Sequence, residues 1–380
     1  MSFDRCQKWS AVVTAVLTIA CSERGPTTPE PAGPKSPGAR FSLLPAEVFG
    51  IRPPGGEPCS TGGYRQFDFW VGNWDVYGGP TSNLAGTNRV ISRLNGCMVE
   101  ENWISSSGGT GRSLNAYDYG TDTWSQMWVS PTGCPFSVIL MEGGFANGSM
   151  TMLGRREQPE GFLIGPPCGP PPPIVVSVRT DRVRWTALAS GSVLQQLQFS
   201  NNDAPLPPFQ PPETLAGLRY DRVETVTPLV PRSFGSFCPF RAAAQQFNFM
   251  IGSWTVHQGE GNGAQGSATF SKDQEQCLVE EHFSALGAYE AISFNTFDVF
   301  TQQWVRTWVD NQGQRLFLTG GLVDGVMVLR GTKRTAGGRE IEVRVSWSPV
   351  SADEVIQTWS FSHNGGEDWQ VERTLRHRRT

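Results

Sequence analysis

The chain contains FDFWVGNWDV at residues 67–76 and repeats this stretch as FNFMIGSWTV at residues 247–256. The same offset of 180 continues downstream, where CMVEENW (97–103) matches CLVEEHF (277–283) and SLNAYD (113–118) matches SFNTFD (293–298). Later matches fall at offsets of 177 and 162, which places a 15-residue insertion of copy 1 in the proline-rich stretch 157–173. The sequence is therefore an internal duplication.

Each copy predicts an antiparallel β-barrel. Its segments alternate apolar and polar residues over five to eight positions and end in Gly, Asn-Gly or Asp-Gly turns, such as 147–148 and 324–325. A meander of eight to ten strands without a convincing helix closes most economically into a barrel, because closure removes exposed strand edges. The aromatic stretch 64–72 is expected to form a short helical turn that caps one end.

The composition agrees with two β domains and argues against a nucleic-acid partner. The 380 residues suffice for two cores, and 11% are aromatic while 17% are charged. The net charge of -4 argues against a nucleic-acid binder, which normally carries a basic stripe. Oligomeric state is left open by the sequence.

The N-terminus predicts export. Arg5 and Lys8 precede an apolar run of about ten residues, the length of a signal peptide core, that ends at Cys21. The order LTIAC (17–21) resembles a bacterial lipobox, in which the cysteine is lipidated, although Thr18 stands where an aliphatic residue is usual. The alternative is a non-lipidated signal peptide with an incidental cysteine. The Pro/Gly-rich stretch that follows reads as a disordered tether.

Taken together, these motifs resemble the motif set of a known bacterial family. FDFWVGNWDV, GCMVEENW, SLNAYD with TDTW, a Gly-Gly hairpin and a closing Tyr-Asp-Arg (220–222) resemble an uncharacterised bacterial family of secreted lipocalin-like barrels with an FDFWxGxWDV signature. The resemblance implies two tandem lipocalin-like (calycin) up-and-down barrels in the cell envelope, anchored through Cys21 or periplasmic or secreted. The expected organisation is a signal peptide (1–21), a tether (22–56), barrel 1 (57–226), a linker (227–235) and barrel 2 (236–380).

The Gly-x-Trp within each opening motif also resembles the start of the lipocalin superfamily. In that superfamily the Trp packs under the guanidinium of an Arg near the last strand. The resemblance implies the structural pairs Trp74 with Arg222 and Trp254 with Arg379. Such a cation–π contact contributes about 0.5 to 2 kcal/mol and is not a binding site.

Six of the eight cysteines are expected in disulfides, since Cys6 lies in the signal segment and Cys21 is the candidate for lipidation. The duplicated positions favour Cys59 with Cys97 and Cys238 with Cys277. The unduplicated Cys134 and Cys168 are then left for each other. A metal site is disfavoured, because no Cys-x-x-Cys or nearby His accompanies these cysteines.

A shared function should use residues that both copies share. All four His lie in copy 2, which excludes a duplicated His-based triad or zinc site but not a site unique to copy 2. Period-two alternation instead directs one carboxylate per barrel inward, amid aromatic and amide side chains. The candidate ligand-binding residues are Glu101, Asn115, Tyr117, Trp124, Trp128 and Gln195 in copy 1, with Glu281, Asn295, Phe297, Trp304, Trp308 and Gln357 in copy 2. In copy 1, Val193 and Leu197 share the face of Gln195.

Three functions follow from this interior. A hollow barrel with such walls suits a small hydrophobic or amphiphilic ligand. Alternatively, the Glu pairs with an Arg inside a solid-packed barrel, and the proline-rich loops 157–173 and 204–212 make protein contacts. A third alternative is an enzyme with the buried Glu as general base, but no second catalytic group is evident. No cofactor is predicted; haem through His377 is a family-level possibility, set against a solvated terminal His.

Overall fold

The computed structural model describes residues 57–60, 62–78, 83–131, 137–159, 176–235, 238–259, 261, 263–334 and 339–380. The expected signal peptide and tether lie outside these residues. So do Cys21, Cys134, Cys168 and most of the stretch 157–173.

Copy 1 forms a closed up-and-down barrel of ten antiparallel strands. They are β1 (Gly72–Gly78), β2 (Leu84–Arg93), β3 (Met98–Ser105), β4 (Thr110–Asp118), β5 (Thr123–Ser130), β6 (Ser137–Ala146), β7 (Ser149–Pro159), β8 (Val176–Ala187), β9 (Val193–Asn201) and β10 (Leu218–Arg222). β1 closes the barrel by pairing with β2 and β10, so that Trp74 lies between Asn88 and Arg222.

Copy 2 repeats this topology. Its strands are β11 (Gly252–Gln258), β12 (Ala264–Asp273), β13 (Leu278–Ala285), β14 (Tyr289–Asp298), β15 (Gln303–Asp310), β16 (Arg315–Val323), β17 (Val326–Arg334), β18 (Glu340–Ser351), β19 (Glu354–Ser362) and β20 (Gln370–Arg379). The predicted fold class, two tandem all-β barrels, is confirmed, at the upper end of the expected strand number.

A plug of 3₁₀ turns closes one end of each barrel, as the aromatic opening motif predicts. The plug of barrel 1 contains the short helices Gly62–Arg65 and Asp68–Trp70, and that of barrel 2 contains Cys238–Phe240, Ala243–Gln245 and Asn248–Met250. Two further short helices are Leu94–Gly96, between β2 and β3, and Pro212–Thr214, before β10. Phe67 and Phe247, at the centre of each plug, are fully buried. The indole of Trp74 donates to the backbone oxygen of Trp70 at 2.8 Å, which ties the plug to β1. We call this the plug end and the opposite one the open end.

The two-residue hairpin turns predicted at equivalent positions of the two copies are present. β6 and β7 are joined by Asn147-Gly148, and β16 and β17 by Asp324-Gly325. All four residues have positive φ, between 50° and 81°. A two-residue turn of this handedness matches the twist of a β-hairpin and requires residues that tolerate positive φ.

Both predicted Trp–Arg contacts and two of the three predicted disulfides are present, and the third, Cys134 with Cys168, lies outside the described residues. Arg222 lies over the Trp74 ring and Arg379 over the Trp254 ring, each with its guanidinium carbon 4.3 Å from the ring centroid. Disulfides join Cys59 to Cys97 and Cys238 to Cys277. Each disulfide holds the segment before the plug to the turn between the second and third strands. Disulfides persist in oxidising compartments, which agrees with an exported protein.

The two barrels pack side by side within the compact unit Arg40–Thr380. β4 and β14 are buried on both faces, because their outer faces meet the other barrel. β4 lies near β16 and β6 near β14. The Tyr64 hydroxyl, at the plug end of barrel 1, donates to the backbone oxygen of Gly313 at the open end of barrel 2. The barrel axes are therefore antiparallel. No helix in the described ranges has the length and hydropathy of a membrane span.

Candidate functional site

The candidate site lies inside barrel 1, where the inner faces of β2 to β5 bring together a group of polar side chains. Glu101 is 3% exposed and accepts hydrogen bonds from the Asn88 amide at 2.7 Å and the Ser113 hydroxyl at 2.8 Å. Asn115 donates to Ser113 at 2.9 Å and accepts from the Gln126 amide at 2.8 Å. The cluster is thus a carboxylate with neutral partners.

Burial of Glu101 raises the pKa of its carboxyl from 4.5 to about 7, although the hydrogen bonds from Ser113 and Asn88 lower it in part. Desolvation disfavours the charged form, and no cation in the described ranges forms an ion pair with this group. Glu101 therefore changes protonation near neutral pH, which is unusual for a carboxyl group.

Tyr220, on the closing strand β10, extends the cluster. Its hydroxyl donates to the Gln195 side chain at 2.9 Å, and burial raises the pKa of the phenol well above its ordinary value. The nearby Glu101 charge raises it further. Tyr220 is therefore neutral and acts as a hydrogen-bonding group.

Barrel 2 keeps the same framework but supplies its own cation. Ser293 donates to Glu281 at 2.8 Å and Asn295 donates to Ser293 at 3.0 Å, as in barrel 1. In place of Gln126 stands Arg306, which is fully buried. It donates to Glu281 at 2.6 Å and to the Asn295 side-chain oxygen at 2.9 Å. Its guanidinium carbon lies 5.1 Å from the centroid of the Trp347 ring. The expected pairing of Glu with Arg thus holds in barrel 2 alone.

His377 is buried inside barrel 2, so the expectation of a solvated terminal His is wrong. β20 carries this side chain inward, where it lies 6.3 Å from the Trp254 ring and 6.5 Å from the Phe270 ring. Burial lowers its pKa to about 4, and it is neutral at pH 7. Its Nε2 is hydrogen-bonded to Gln357 at 3.1 Å. Haem ligation through this Nε2 would require its hydrogen bond to Gln357 to break.

The open ends of the barrels differ in exposure. Trp308, Trp359 and Phe361 are at most 3% exposed in barrel 2, and the Trp308 and Trp359 rings pack 5.6 Å apart. The equivalent residues of barrel 1 are Trp128, Leu197 and Phe199. Trp128 is half-buried, whereas Leu197 is 60% and Phe199 54% exposed. Leu197 and Phe199 continue the inward face of β9 and form an exposed entrance of apolar side chains, with the Arg179 guanidinium over the Phe199 ring at 4.2 Å.

The length of the closing strand accounts for this difference. β20 pairs with β19 from Glu354 to Phe361, whereas β10 pairs with β9 only from Val193 to Gln195. The chain before β10 instead crosses the outer face of β8 and β9. There Arg182 and Arg184 lie over the Phe209 ring at 4.3 and 4.2 Å. The proline-rich loop 204–212 therefore packs on its own barrel.

Four predicted site residues lie at the plug end. The Trp124 indole donates to the Gly63 backbone oxygen and the Trp304 indole to that of Ala243, each at 3.2 Å. The Tyr117 hydroxyl donates to Asp122 at 2.6 Å, and Phe297 packs edge-on against Trp304. These side chains hold the plug, and the structure does not bring them to the carboxylate.

The structure brings together Glu101 and Asn115, with Gln195 through Tyr220 and Trp128 towards the open end. Sequence reasoning missed Asn88, Ser113, Ser293 and Tyr220 in the two clusters, as well as Gln126 and Arg306. The signal for the last two was present. Alternation along β5 and β15 places them between two inward Trp residues, but a search restricted to shared residues passed over a position that differs between the copies.

Two grooves lie outside the barrel interiors, between the barrels. One has a volume of about 540 Å³ and is lined by residues that include Glu100, Trp103 and Arg112. The other has about 740 Å³ and is lined by residues that include Arg93 and His282. Neither contains the polar cluster. Within the described ranges, no group of three or more His, Cys, Asp or Glu residues is placed to hold a metal ion.

Comparison with known proteins leaves the chain without an assigned family. No family model matches it, and no curated protein matches it. Among solved structures, it is similar to a crystal structure of a protein of unknown function from the DUF3598 family of Nostoc punctiforme. The identity is 10%, over 84% of this chain and 100% of that chain, and the TM-score is 0.17.

Proposed function

We propose that barrel 1 binds a small amphiphilic molecule, with its apolar part between Leu197, Phe199 and Trp128 and its polar part at Glu101. One observation carries this proposal. At the positions where barrel 2 fills its interior with Arg306 and Trp359, barrel 1 has Gln126 and Leu197, an exposed apolar entrance and a buried carboxylate without a cation. Ligand sites are typically apolar and concave, with a few convergent polar groups.

Barrel 2, in this proposal, is structural. Its carboxylate is neutralised by Arg306, and its open end is sealed by Trp308 and Trp359. A packed small barrel is a common outcome for this architecture. The two copies then represent both sequence alternatives, a ligand-binding barrel and a solid one.

The test gives the entrance of barrel 1 the side chain that closes barrel 2. Leu197→Trp places the residue of position 359 at the entrance of barrel 1. The full-length protein is incubated with cell extract, and retained small molecules are found by native mass spectrometry. Purified protein is then titrated with lipophilic probes while its tryptophan fluorescence is followed. We expect the parent to retain a ligand and the variant to lose it.

Leu153→Trp is the matched control, because Leu153 is 48% exposed and lies on the outer face of β7, paired with Arg182. This control should bind as the parent does. If the parent retains no mass and no probe changes its fluorescence, the proposed function is wrong. Equal binding by the Leu197→Trp variant would place the ligand elsewhere.

We also propose that the protein works in the bacterial cell envelope, held at a membrane by a lipid on Cys21. The two disulfides support an oxidising compartment. Metabolic labelling with a palmitate analogue tests the anchor. Label should be incorporated by the parent chain and lost in Cys21→Ser, and an unlabelled parent would contradict it.

A further inference from the structure

We infer that the ligand of barrel 1 carries a cationic head, a guanidinium, amidinium or protonated amine, which binds between Glu101, Asn115 and Trp185. This inference rests on the proposed function and specifies its ligand class. In barrel 2 the equivalent place is occupied by the guanidinium of Arg306, which donates to Glu281 and Asn295 as a ligand cation would.

The acceptor groups that hold the Arg306 guanidinium are all present in barrel 1. Glu281 and Asn295 correspond to Glu101 and Asn115, and their supporting bonds are the same. Asn115 donates to the Val99 backbone oxygen at 3.0 Å, and Asn295 does so to that of Val279 at 3.0 Å. Trp185 occupies the place of Trp347, and both rings are fully buried. Barrel 1 therefore keeps the acceptor groups and the indole ring of this arrangement, which we call the cradle, and lacks the cation.

Gln126 replaces only part of what Arg306 contributes. Its amide donates to Asn115, as one arm of the Arg306 guanidinium does to Asn295, but Glu101 receives no bond from it. Glu101 has two described donors, Asn88 and Ser113, whereas a carboxylate offers about four acceptor positions. Asn115 also retains a second lone pair on its side-chain oxygen. Both groups can accept further bonds from a ligand.

Two other exchanges add polar atoms beside the carboxylate. Asn88 replaces Ala268, and Tyr220 replaces His377. The Asn88 side-chain oxygen is buried and has no hydrogen-bond partner in the described part of the chain. A buried acceptor without a donor is costly, and a ligand N–H group would satisfy it. The Asn88 oxygen and the Glu101 carboxylate are both hydrogen-bond acceptors, so they favour a ligand head group that is a cationic donor over one that is an anion.

The experiment uses three probes with the same eight-carbon chain: octylguanidinium, octanol and octanoate. Each is titrated into the full-length protein by calorimetry and tryptophan fluorescence at pH 8. We expect octylguanidinium to bind at least about tenfold more tightly than octanol, because hydrogen bonds to a charged group are the stronger ones. Octanoate should bind most weakly.

Two variants localise the effect. Glu101→Gln keeps the shape of the side chain and should reduce octylguanidinium affinity about tenfold, a larger loss than for octanol, because only the cationic head gains a charge-assisted bond from this carboxylate. Gln126→Arg places a guanidinium in the cradle, as in barrel 2, and should abolish octylguanidinium binding. Below pH 7 the parent's affinity for octylguanidinium should fall, by up to about tenfold per pH unit, as Glu101 takes up its proton.

The outcomes separate the two proposals. If octanol and octylguanidinium bind equally well at the entrance, the cationic head is wrong and the proposed function stands. If neither probe binds, both proposals are contradicted. Octylguanidinium binding that Glu101→Gln leaves unchanged would overturn the assignment of the head group to this carboxylate.

Discussion

Glu101 and Glu281 are the same residue in two copies, and their neighbours give them different roles. Arg306 forms a buried ion pair with Glu281, whereas Glu101 has only neutral donors. An uncompensated buried carboxyl tends to hold its proton rather than pay the cost of desolvation. This difference in charge compensation, together with the exposed Leu197 in place of Trp359, separates a packed interior from a candidate site.

Glu101→Gln tests the protonation of this carboxyl through stability. Its pKa is about 7 in the folded protein against 4.5 in the unfolded chain, so the folded state holds the proton more firmly. The associated stability is complete below pH 4.5 and is lost as pH rises through 7, on the order of 3 kcal/mol in all. We expect the free energy of unfolding of the parent to fall relative to the variant between pH 5 and 8.

The measurement is urea unfolding of both proteins at four pH values. The difference between them isolates Glu101, because Asp310, whose pKa burial raises to about 6, is present in both. Parallel curves would contradict the shifted pKa.

Arg306→Gln gives barrel 2 the residue of barrel 1 and should destabilise it. The substitution leaves Glu281 buried without its cation, and breaking a buried ion pair costs about 3–5 kcal/mol. Chemical denaturation followed by tryptophan fluorescence measures the loss. The double variant Arg306→Gln/Glu281→Gln is the control and should recover part of the stability. Equal stability of parent and single variant would show that this ion pair has no net effect.

The sequence predicts one part of this site and misses another for an identifiable reason. Alternation along β3 and β13 correctly directs Glu101 and Glu281 inward, and the duplication identifies both. The exchange of Arg306 for Gln126 is what decides the chemistry. A comparison that retains only shared residues removes it, although the offset of 180 aligns the two positions directly.

At the scale of elements, the duplication predicts topology well and strand length poorly. The Gly, Asn-Gly and Asp-Gly turns and the two-residue period are local signals, so the hairpins follow from them. The end of a strand depends on what its neighbour pairs with. β10 stops after five residues, and the chain before it packs on the outer face of its own barrel. The sequence alignment of the two copies shows that Leu197 is equivalent to Trp359. It does not show that Leu197 is exposed, because that depends on the short pairing of β10 with β9.

The disulfides should stabilise the two plugs by similar amounts. Their cysteines are 38 and 39 residues apart, and loops of this size contribute about 3–4 kcal/mol in the chain-entropy account. We expect Cys59→Ala/Cys97→Ala and Cys238→Ala/Cys277→Ala to lower the unfolding midpoint of the protein comparably. Each variant is the control for the other, and circular dichroism during heating reports both. A loss below about 1 kcal/mol in either would contradict the role of the disulfide as a staple.

At the scale of the whole molecule, the two barrels pack through equivalent faces, that of β4 in barrel 1 and that of β14 in barrel 2. The two faces differ in charge, because only β4 carries an arginine, Arg112. Arg112, on the outer face of β4, donates to Glu100 at 2.7 Å and to Glu280 of the other barrel at 2.6 Å. It also bonds Asp273 at 2.7 Å and lies over the Phe294 ring at 4.8 Å. Copy 2 has Ile292 at the equivalent position, so one arginine serves carboxylates from both copies.

Arg112→Ile, which copies Ile292, should uncouple the barrels. It leaves Glu100 and Glu280, each less than 8% exposed, facing each other without their shared cation. Removing one partner of a buried charge group costs about 3–5 kcal/mol. Urea unfolding followed by circular dichroism should resolve two transitions in the variant where the parent shows one. The control is Arg155→Ala, because the ion pair of Arg155 with Asp203 is exposed and contributes about 0–1 kcal/mol.

The same arginine also sets the response of this interface to acid. Burial alone would raise the pKa of Glu280, but hydrogen bonds from His282 and Arg112 outweigh it and lower the pKa to about 2. Its contribution to stability is therefore present above pH 4.5 and is lost as pH falls towards 2. We expect acid to weaken the parent over this range more steeply than Arg112→Ile, which has already lost the contact. If the free energy of unfolding of both proteins falls equally between pH 5 and 3, Arg112 does not hold the barrels together through Glu280.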